Sequence, residues 1–279
     1  MKADLHCHSH YSDGKHSPAE LLDRAHDNGL THLAITDHDC VAAFDEVTGD
    51  SRLTLIPGVE ISCVWGTREL HIVGLAIDPH EAGLTTLLAS QQASRRRRIR
   101  AIAERLDSLA MDLAIDGLLP WLDALPCHAL TRTHVADYLV ATGRCRNHQK
   151  AFKRYLGKGG RAYEPGQWCS LPEAVQAIRA SGGIAVLAHP GRYALGKRQL
   201  ETLVSEFRDC GGEAMETSYG NIDPLVQRRL RELADANALY QSQGSDFHTA
   251  SAQWTDIGRF PALHPGIKNA IWHHPGWHF

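Results

Sequence analysis

The chain has 279 residues, of which 43% are hydrophobic and 22% are charged, and its formal net charge is −3. This composition predicts a folded globular protein and excludes a disordered chain or one that binds long duplex nucleic acid through its overall charge. The N-terminus lacks a charged segment followed by an apolar run, and no stretch reaches the roughly 20 apolar residues that span a bilayer, so we expect a soluble, cytoplasmic protein without membrane contacts.

The first segment places two histidines one residue apart behind a short apolar run. His6 and His8 would lie on the same face of an extended strand and would be able to bind one metal ion together. Asp13 adds a carboxylate five positions later. Because the chain contains 18 histidines, such a pair also arises by chance, and the rest of the chain has to decide.

Helix and strand patterns alternate after this segment. Ser17 and Pro18 predict a helix start, and Gly29 predicts its end. Apolar segments at 31–36, 53–62 and 69–75 predict three further strands. These segments end in, or carry, the polar residues Asp37, His38, Asp39, Glu60 and His71.

The middle of the chain is predicted to be helical. Residues 81–110 form one helix whose Arg95–Arg98 run is expected to face water for the most part, because consecutive residues spread around a helix. Residues 111–165 break the alternation: helices are predicted at 133–141 and 148–156, with no strand. We interpret 111–165 as a helical insertion domain that caps the active site.

The alternation resumes with helices at 171–181, 198–210 and 224–236 and strands at 183–188, 214–216 and 239–242. Seven strands result, one fewer than in a regular eight-fold barrel. We therefore predict an α/β fold, a distorted seven-stranded (βα)7 TIM-like barrel with a small helical insertion. The barrel domain comprises residues 1–80 and 166–279 and includes the helix at about 81–110.

Polar side chains from six segments would meet at one rim of such a barrel, since active sites of βα barrels lie at the carboxyl ends of the strands. Imidazoles and carboxylates without a thiol suit Zn²⁺, Mn²⁺ or Fe²⁺. About nine ligands exceed what one ion needs, and Glu60 is the natural bridge between ions. Clustered ions favour hydrolysis of a phosphate ester.

The motifs that carry these residues resemble those of the PHP family, the polymerase and histidinol phosphatase superfamily. They are Asp-Leu-His-Cys-His-Ser at 4–9 with Ser-Asp-Gly at 12–14, Thr-Asp-His-Asp at 36–39, Pro-Gly-Val-Glu-Ile-Ser at 57–62, Ala-His-Pro at 188–190 and Ser-Asp-Phe-His at 245–248. They occur in the family's order and cover nearly the whole chain. The resemblance implies a seven-stranded βα barrel with a trinuclear metal centre.

Carried over by position, the resemblance implies two or three divalent ions, with Mn²⁺ favoured and Zn²⁺ or Fe²⁺ as alternatives. The first ion would be held by His6, His8, Glu60 and Asp246, the second by Glu60, His71 and His189, and the third by Asp13, His38 and His248. His189, rather than His134, is assigned to the second ion. The residues expected to take part in the reaction itself are Asp13, Glu60, His189 and His248.

Within the family, the residues at 58–62, 71–75 and 154–160 resemble the branch that acts on nucleotides, namely 3′,5′-bisphosphonucleotide phosphatases and 5′-3′ exonucleases of short oligoribonucleotides. We expect removal of the 3′-phosphate of nucleoside 3′,5′-bisphosphates by a hydroxide that bridges metal ions, with short RNA as a further substrate. A second phosphate needs cations away from the metals, and helix N-termini favour anions. The candidates are Arg132, His134, Lys158 and Arg192.

Three alternatives remain open from the sequence. A histidinol-phosphate-type phosphomonoesterase shares the metal site but needs no second phosphate clamp. A metal-dependent amidohydrolase also combines a βα barrel with a His-x-His pair. A non-catalytic module, like the accessory PHP domain of a polymerase, would retain the fold without the reaction.

Overall fold

The computed structural model describes residues 1–47, 52–109, 117–250, 256–263 and 266–279. The strands are β1 (Ala3–Asp4), β2 (His32–Ile35), β3 (Thr54–Trp65), β4 (Arg68–Leu75), β5 (Cys169–Ser170), β6 (Ile184–Leu187), β7 (Ala214–Tyr219) and β8 (Tyr240–Gly244). The helices are α1 (Pro18–Asp27), α2 (Ala43–Glu46), α3 (Ala82–Ser108), α4 (Leu118–Asp123), α5 (Arg132–Ala141), α6 (His148–Ala151), α7 (Leu171–Ala180), α8 (Lys197–Asp209) and α9 (Pro224–Ala236). A π-helical turn (Phe152–Leu156) follows α6, and short 3₁₀ turns occupy Pro190–Arg192 and Ile271–His273.

Seven strands form a nearly closed, barrel-shaped sheet in the order β1-β2-β3-β4-β6-β7-β8, and the two-residue β5 pairs with β3 outside this path. The first and last strands lie side by side: the Leu5 N–H donates to the Gln243 carbonyl at 3.2 Å, and Gln243 Nε2 donates to the Ala3 carbonyl at 2.8 Å. The predicted seven-stranded α/β barrel is confirmed.

One strand runs against the simple βα pattern. Strand β4 is antiparallel to both β3 and β6, whereas the other pairs of neighbouring strands in the seven-strand path are parallel. Only residues 66 and 67 separate β3 from β4, and Gly66 adopts a left-handed backbone (φ 59°). A two-residue connection makes a hairpin, because a parallel crossover needs a dozen or more residues.

Both ends of helix α1 have the residues that the sequence predicted for them. The Ser17 hydroxyl accepts a hydrogen bond from the Glu20 N–H at 3.3 Å, and the Glu20 carboxylate accepts one from the Ser17 N–H at 2.7 Å, with Pro18 as the first residue of α1. This reciprocal pair satisfies two N–H groups that a helix leaves free. Gly29, with φ 69°, ends the helix as expected.

The barrel interior and its outer layer are separate apolar clusters. Small and branched side chains from the strands fill the interior, among them Ala34, Ile56, Val73 and Val186. The outer faces of β3, β4, β6 and β7 pack against α7, α8 and α9, with Ile178, Phe207 and Leu230 fully buried there. Apolar burial on both faces holds the strand ends, and therefore the site, in fixed positions.

A further apolar cluster lies in the middle of the chain. Ile99, Ile102 and Leu106 in the second half of α3 pack against α4, α5 and the π-helical turn. Residues 111–116, at the start of the predicted insertion, lie outside the described residues. The described residues of the predicted insertion contain no strand.

No described helix of the chain is long and apolar enough to cross a membrane.

The arginine run of α3 is only partly solvated. Arg96, Arg97 and Arg100 are exposed as expected, but Arg95 is 5% exposed and Arg98 is mostly buried. Arg95 is buried because it meets Asp39 from the loop after β2, with 2.7 Å between Nη2 and Oδ2. The expectation of a mainly solvated run therefore fails at these two positions.

Candidate metal centre

The strand ends bring all nine predicted metal ligands together. His6 and His8 follow β1, His38 follows β2, Glu60 lies in β3 and His71 in β4. The remaining four are His189 after β6, Asp246 and His248 after β8, and Asp13 in the loop before α1. Each of the nine belongs to at least one group of three or four residues whose ligand atoms lie within 4.8 Å of one another. Residues more than 200 positions apart in sequence thus become neighbours.

The groups overlap and differ in part from the division that the family resemblance implied. They are His8, Asp13, His38 and His248; His6, His8 and Asp246; His6, Glu60 and His189; and His38, Glu60 and His71. The third-ion set expected from the resemblance recurs with His8 added. His71 groups with His38 rather than with His189.

Glu60 lies at the centre of the cluster. Its Oε1 atom is 2.9 Å from His189 Nε2 and 3.0 Å from His71 Nδ1, and its Oε2 atom is 2.8 Å from His38 Nδ1. Burial alone would raise the pKa of the Glu60 carboxyl, but the surrounding imidazoles of His71, His38 and His6 hold this pKa well below its usual value. Glu60 is therefore an ionised carboxylate with both oxygens directed at the cluster.

The histidines differ in protonation. Burial, reinforced by His248 and His38, lowers the pKa of His8 to about 3, so its ring is neutral. Burial would also lower the pKa of His248, but the Asp13 carboxylate, 3.1 Å from Nε2, outweighs it and raises this pKa to about 9. A neutral imidazole with a free lone pair is the form that binds metal ions.

The cluster fits divalent ions better than it fits a hydrogen-bond network. His6 Nε2 and His8 Nε2 lie only 3.2 Å apart. Among the described residues, Asp13 Oδ1, His38 Nδ1 and Glu60 Oε2 are buried without an aligned hydrogen-bond partner, although His38 Nδ1 and Glu60 Oε2 are close in distance. Metal-ligand atoms that lie close together without aligned hydrogen bonds are expected where they share an ion. A set of nitrogen and oxygen ligands suits Zn²⁺, Mn²⁺ or Fe²⁺.

A carboxylate that the sequence reasoning missed orients two of these histidines. Glu216 Oε1 lies 2.8 Å from His6 Nδ1, and its Oε2 atom accepts the His189 backbone N–H at 2.6 Å. A hydrogen bond at Nδ1 leaves Nε2 of His6 directed at the cluster, a common arrangement around metal-binding histidines. The sequence contained a signal for Glu216, because this carboxylate lies at the end of the strand predicted at 214–216.

Two aspartates beside His38 support neighbouring loops. Asp37 accepts hydrogen bonds from the Ser9 N–H at 2.7 Å and the Ser12 hydroxyl at 2.6 Å, which fixes the loop that carries His8 and Asp13. Asp39 accepts from the Ser62 N–H at 2.9 Å. These contacts show that both aspartates hold segments that carry predicted metal ligands.

Three residues at the site have a left-handed backbone. The φ angles are 43° for Asp39, 30° for His189 and 53° for Asp246. Each follows a strand at the rim, and each costs of the order of 1 kcal/mol relative to an ordinary conformation. Such backbone strain persists where surrounding contacts determine the position of a functional side chain.

A cavity of about 250 Å³ lies beside the cluster, and residues from the helical middle of the sequence line part of it. Asp13, His38 and His71 form one wall, and the arginines at 95, 98 and 132 with the Trp168 ring form the other. The guanidinium carbons of Arg95 and Arg98 lie 4.9 and 5.3 Å from the centre of the Trp168 ring. Sequence reasoning missed Arg95, Arg98 and Trp168 as cavity residues.

Among the predicted substrate residues, Arg132 lines this cavity at the first position of α5. Its guanidinium is 3.8 Å from Glu69 Oε2, and Glu69 also pairs with Arg98 at 3.0 Å. Burial alone would raise the pKa of Glu69, but Arg98 holds it below its usual value. The cavity thus combines three guanidinium groups with one ionised glutamate.

The other three predicted substrate residues do not line this cavity. His134 is 4% exposed, and its Nδ1 accepts the Thr131 N–H at 3.0 Å. Arg192 pairs with Asp246 and lines a second cavity of about 190 Å³, together with Asp246 and His248. Lys158 is exposed and lies outside both sets of lining residues. The structure therefore brings Arg132 and Arg192 to the cluster and leaves Lys158 apart from it.

Comparisons with known proteins agree with this geometry. A family model described as the PHP domain matches residues 4–156. The chain is 40% identical to the 5′-3′ exoribonuclease Rnm of Escherichia coli (strain K12), over 98% of this chain and 94% of that protein. It is 38% identical to the 3′,5′-nucleoside bisphosphate phosphatase of Chromobacterium violaceum, over 96% of this chain and 94% of that protein. A solved structure from C. violaceum, described as an amidohydrolase with bound sulfate and no metal, has a TM-score of 0.88 and 37% identity, and covers 98% of this chain and 95% of that one.

Proposed function

The chain belongs to the PHP domain family and is a hydrolase of phosphate esters, and on that premise we propose that it removes the 3′-phosphate of nucleoside 3′,5′-bisphosphates. The products are a nucleoside 5′-monophosphate and phosphate, and short oligoribonucleotides are cleaved from the 5′ end by the same step. One observation carries this proposal: a cluster of metal-ligating side chains shares a cavity with three guanidinium groups.

Both substrates require one and the same bond to break. Water adds to the phosphorus at the 3′ position, the bond from that phosphorus to the 3′ oxygen breaks, and a proton ends on the departing 3′ oxygen. In the bisphosphate the phosphorus leaves as inorganic phosphate, and in RNA it becomes the 5′-phosphate of the shortened chain. A site that holds the 5′-phosphate at a fixed distance from the reacting phosphorus would therefore serve both.

We propose that divalent ions are held by the nine residues His6, His8, Asp13, His38, Glu60, His71, His189, Asp246 and His248. Bound ions would lower the pKa of water and offset charge on the phosphoryl oxygens. Asp13, Glu60, His189 and His248 are the members proposed to act on the reacting groups. Mn²⁺ is the favoured ion, with Zn²⁺ and Fe²⁺ as alternatives.

We propose that Arg132 binds the 5′-phosphate, helped by Arg95 and Arg98. The support is its position at the start of α5, where free N–H groups and the helix dipole favour an anion. His134 would act on this clamp indirectly, because it caps the same helix and its partner Thr131 donates to Asp13 Oδ2 at 3.0 Å.

Arg192 is proposed to contact the phosphate that is cleaved, since it already pairs with the carboxylate of Asp246. Lys158 remains a candidate contact for longer substrates.

Residues 1–80 and 166–279, with the helix at about 81–110, are proposed as the barrel domain, and 111–165 as the insertion that caps the site. The separate apolar cluster of that region supports an insertion, but the cluster also includes Ile99, Ile102 and Leu106 from the second half of α3.

A phosphate-release assay on purified protein tests the proposal. With Mn²⁺ present, adenosine 3′,5′-bisphosphate should give phosphate and the 5′-monophosphate. Arg132→Ala should raise KM for the bisphosphate at least about tenfold, as expected for loss of a charge-assisted contact of roughly 1.5–3 kcal/mol, but should leave KM for adenosine 3′-monophosphate nearly unchanged. Arg228→Ala on α9, where the side chain is 77% exposed, is the matched control.

The alternatives predict other results. Equal activity on 3′-monophosphate and bisphosphate, without an effect of Arg132→Ala, would favour a phosphomonoesterase of the histidinol phosphate type. Hydrolysis of amide substrates in place of phosphate esters would favour an amidohydrolase. No phosphate release with Mn²⁺, Zn²⁺ or Fe²⁺ would reject the proposed substrate.

A further inference from the structure

A second cavity borders the predicted metal ligands, and most of its lining has no part in the proposed reaction. Its volume is about 190 Å³, and among the described residues it shares no lining residue with the cavity that contains Arg132. We name the two the Arg259 cavity and the Arg132 cavity. The lining of the Arg259 cavity includes Asp246, His248, Arg192, Asn221, Thr249 and Arg259.

The two cavities are joined by the ligand cluster itself. Asp13 lines the Arg132 cavity and His248 lines the Arg259 cavity. His248 Nε2 lies 3.1 Å from Asp13 Oδ1, and both residues belong to one group of candidate metal ligands. A phosphate held at these ligands would therefore border both cavities.

The Arg259 cavity has one arginine whose charge is not already used by a carboxylate. Arg192 pairs with Asp246, and the Asp256 carboxylate at the edge of the cavity accepts a hydrogen bond from Arg24 Nη2 at 3.1 Å. Arg259 is exposed and forms no ion pair within the described part of the chain. Its backbone N–H donates to the Asp256 carbonyl at 3.0 Å, which holds the segment in place. The free guanidinium makes this cavity attractive to an anion.

The connectivity of an oligoribonucleotide says which group would reach the Arg259 cavity. The reacting phosphorus carries the 3′ oxygen that leaves and, through a different oxygen, the next nucleotide of the chain. In the proposed reaction the first nucleotide extends from the cluster to its 5′-phosphate at Arg132. The next nucleotide must therefore leave the cluster by another route. A nucleoside 3′,5′-bisphosphate has no atoms beyond the reacting phosphate and would not enter that route.

We propose that the Arg259 cavity binds the nucleotide on the 3′ side of the scissile bond, and that Arg259 contacts the phosphate that follows this nucleotide. The inference rests on the proposed function and adds to it a subsite that only oligonucleotides use. The exposed side chains of Asn221 and Thr249 would offer hydrogen bonds to the sugar. An arginine contact with a phosphate carries no base information, so binding should be independent of sequence and sensitive to salt.

The test compares initial rates on three substrates in the metal-loaded enzyme: adenosine 3′,5′-bisphosphate, a 5′-phosphorylated diadenylate and a 5′-phosphorylated triadenylate. Only the triadenylate has a phosphate beyond the nucleotide that follows the scissile bond. Arg259→Ala should raise KM for the triadenylate at least about fivefold, the size expected for loss of one contact of this kind. The slope of log(kcat/KM) against log[salt] should flatten by about 0.7 for the phosphate that is no longer bound. KM for the other two substrates should change less than about twofold, which also shows that the variant is folded.

Two further variants separate the contact from a general effect of charge. Arg198→Ala in α8 removes another exposed arginine that forms no ion pair with a described residue and lies outside both cavities, and it should leave all three KM values unchanged. Arg259→Lys keeps the positive charge and should retain most of the affinity for the triadenylate, because lysine also binds phosphate. If Arg259→Ala leaves KM for the triadenylate unchanged, raises KM for all three substrates equally, or acts no more strongly than Arg198→Ala, the inference is overturned.

Direct binding separates this inference from the proposed function. A triadenylate in which a CH₂ group replaces the 3′ oxygen of the first linkage cannot be cleaved there, and calorimetry measures its affinity without catalysis. Weaker binding by Arg259→Ala, with unchanged binding by Arg198→Ala, would support the inference even if the bisphosphate is not hydrolysed. In that case only the proposed substrate would be rejected. Unchanged binding by Arg259→Ala together with normal bisphosphate hydrolysis would reject the subsite and leave the proposed function intact.

Discussion

Replacing Arg95 by methionine should destabilise the protein far more than the same change at its neighbour Arg96. Arg95 is 5% exposed and makes two close contacts to Asp39 Oδ2, 2.8 Å from Nε and 2.7 Å from Nη2. Its Nη2 also donates to the Ser62 hydroxyl at 2.7 Å. Methionine fills much of the volume but leaves the Asp39 carboxylate buried without its cation.

The expected loss is about 3–5 kcal/mol of unfolding free energy, the usual range when one partner of a buried ion pair is removed. The larger part of this loss is the penalty of the unpaired Asp39 charge rather than the attraction itself. For a chain of this size each kcal/mol lowers Tm by roughly 2–4 °C, so a fall of about 6–20 °C is expected. Arg96 is exposed, and Arg96→Met should change stability by less than about 0.5 kcal/mol.

Urea and thermal denaturation of both variants, at one fixed Mn²⁺ concentration, give the two values. The double variant Asp39→Asn, Arg95→Met removes the unpaired charge and should regain at least about 1 kcal/mol relative to Arg95→Met, because contacting residues are not additive. A value for Arg95→Met within about 1 kcal/mol of wild type would refute the reasoning. So would a double variant whose loss equals the sum of the two single losses.

Three further results are expected. Glu60→Gln should lower the Mn²⁺ bound per chain to one ion or fewer, as measured by metal analysis, and should reduce kcat/KM at least about 10³-fold. The reason is that the two Glu60 oxygens lie within 3.0 Å of ring nitrogens of His38, His71 and His189. Retention of the wild-type metal content would contradict the bridging role. Chelation of divalent ions should lower Tm by about 5–11 °C relative to protein at an ion concentration of 100 Kd, which corresponds to about 2.7 kcal/mol; an unchanged melting curve would argue against ion binding by the folded state. Ser170→Ala should cost about 1 kcal/mol by removing the reciprocal cap with Glu173 at the start of α7, visible as a lower Tm, whereas Ser108→Ala at the end of α3 should have little effect.

The fold was predictable where each element carries its own signal. Ser17, Pro18 and Gly29 mark both ends of α1, and the predicted segment at 224–236 coincides with α9. Strand direction has no such local signal, because an apolar run looks the same in either direction. The two-residue gap between β3 and β4 was nevertheless informative, since only a hairpin can close so short a connection.

The proximity of the nine predicted ligands was predictable for a different reason. The carboxyl ends of parallel barrel strands meet at one rim, which places the predicted ligands that follow β1, β2, β6 and β8. His71 lies at this rim although β4 is antiparallel, because it pairs with Ser62, two residues beyond Glu60. The division of these residues among ions does not follow from the sequence. His71 lies within reach of the same Glu60 oxygen as His189, and it groups with His38 only because of the detailed placement of the side chains.

The arginines of α3 show how the phase of a helix decides the meaning of a charge. At about 100° per residue, positions three or four apart share a face, and Leu88, Gln91, Arg95 and Ile102 continue one buried stripe. Arg96 and Arg97 fall on the opposite, exposed side. A count of consecutive arginines hides this difference, whereas the apolar positions on either side reveal it. A buried arginine is stabilised by an anion beside it, and this anion is Asp39 for Arg95. Arg95 and Arg98 line the cavity beside the cluster, so this side of α3 supplies positive charge to that cavity.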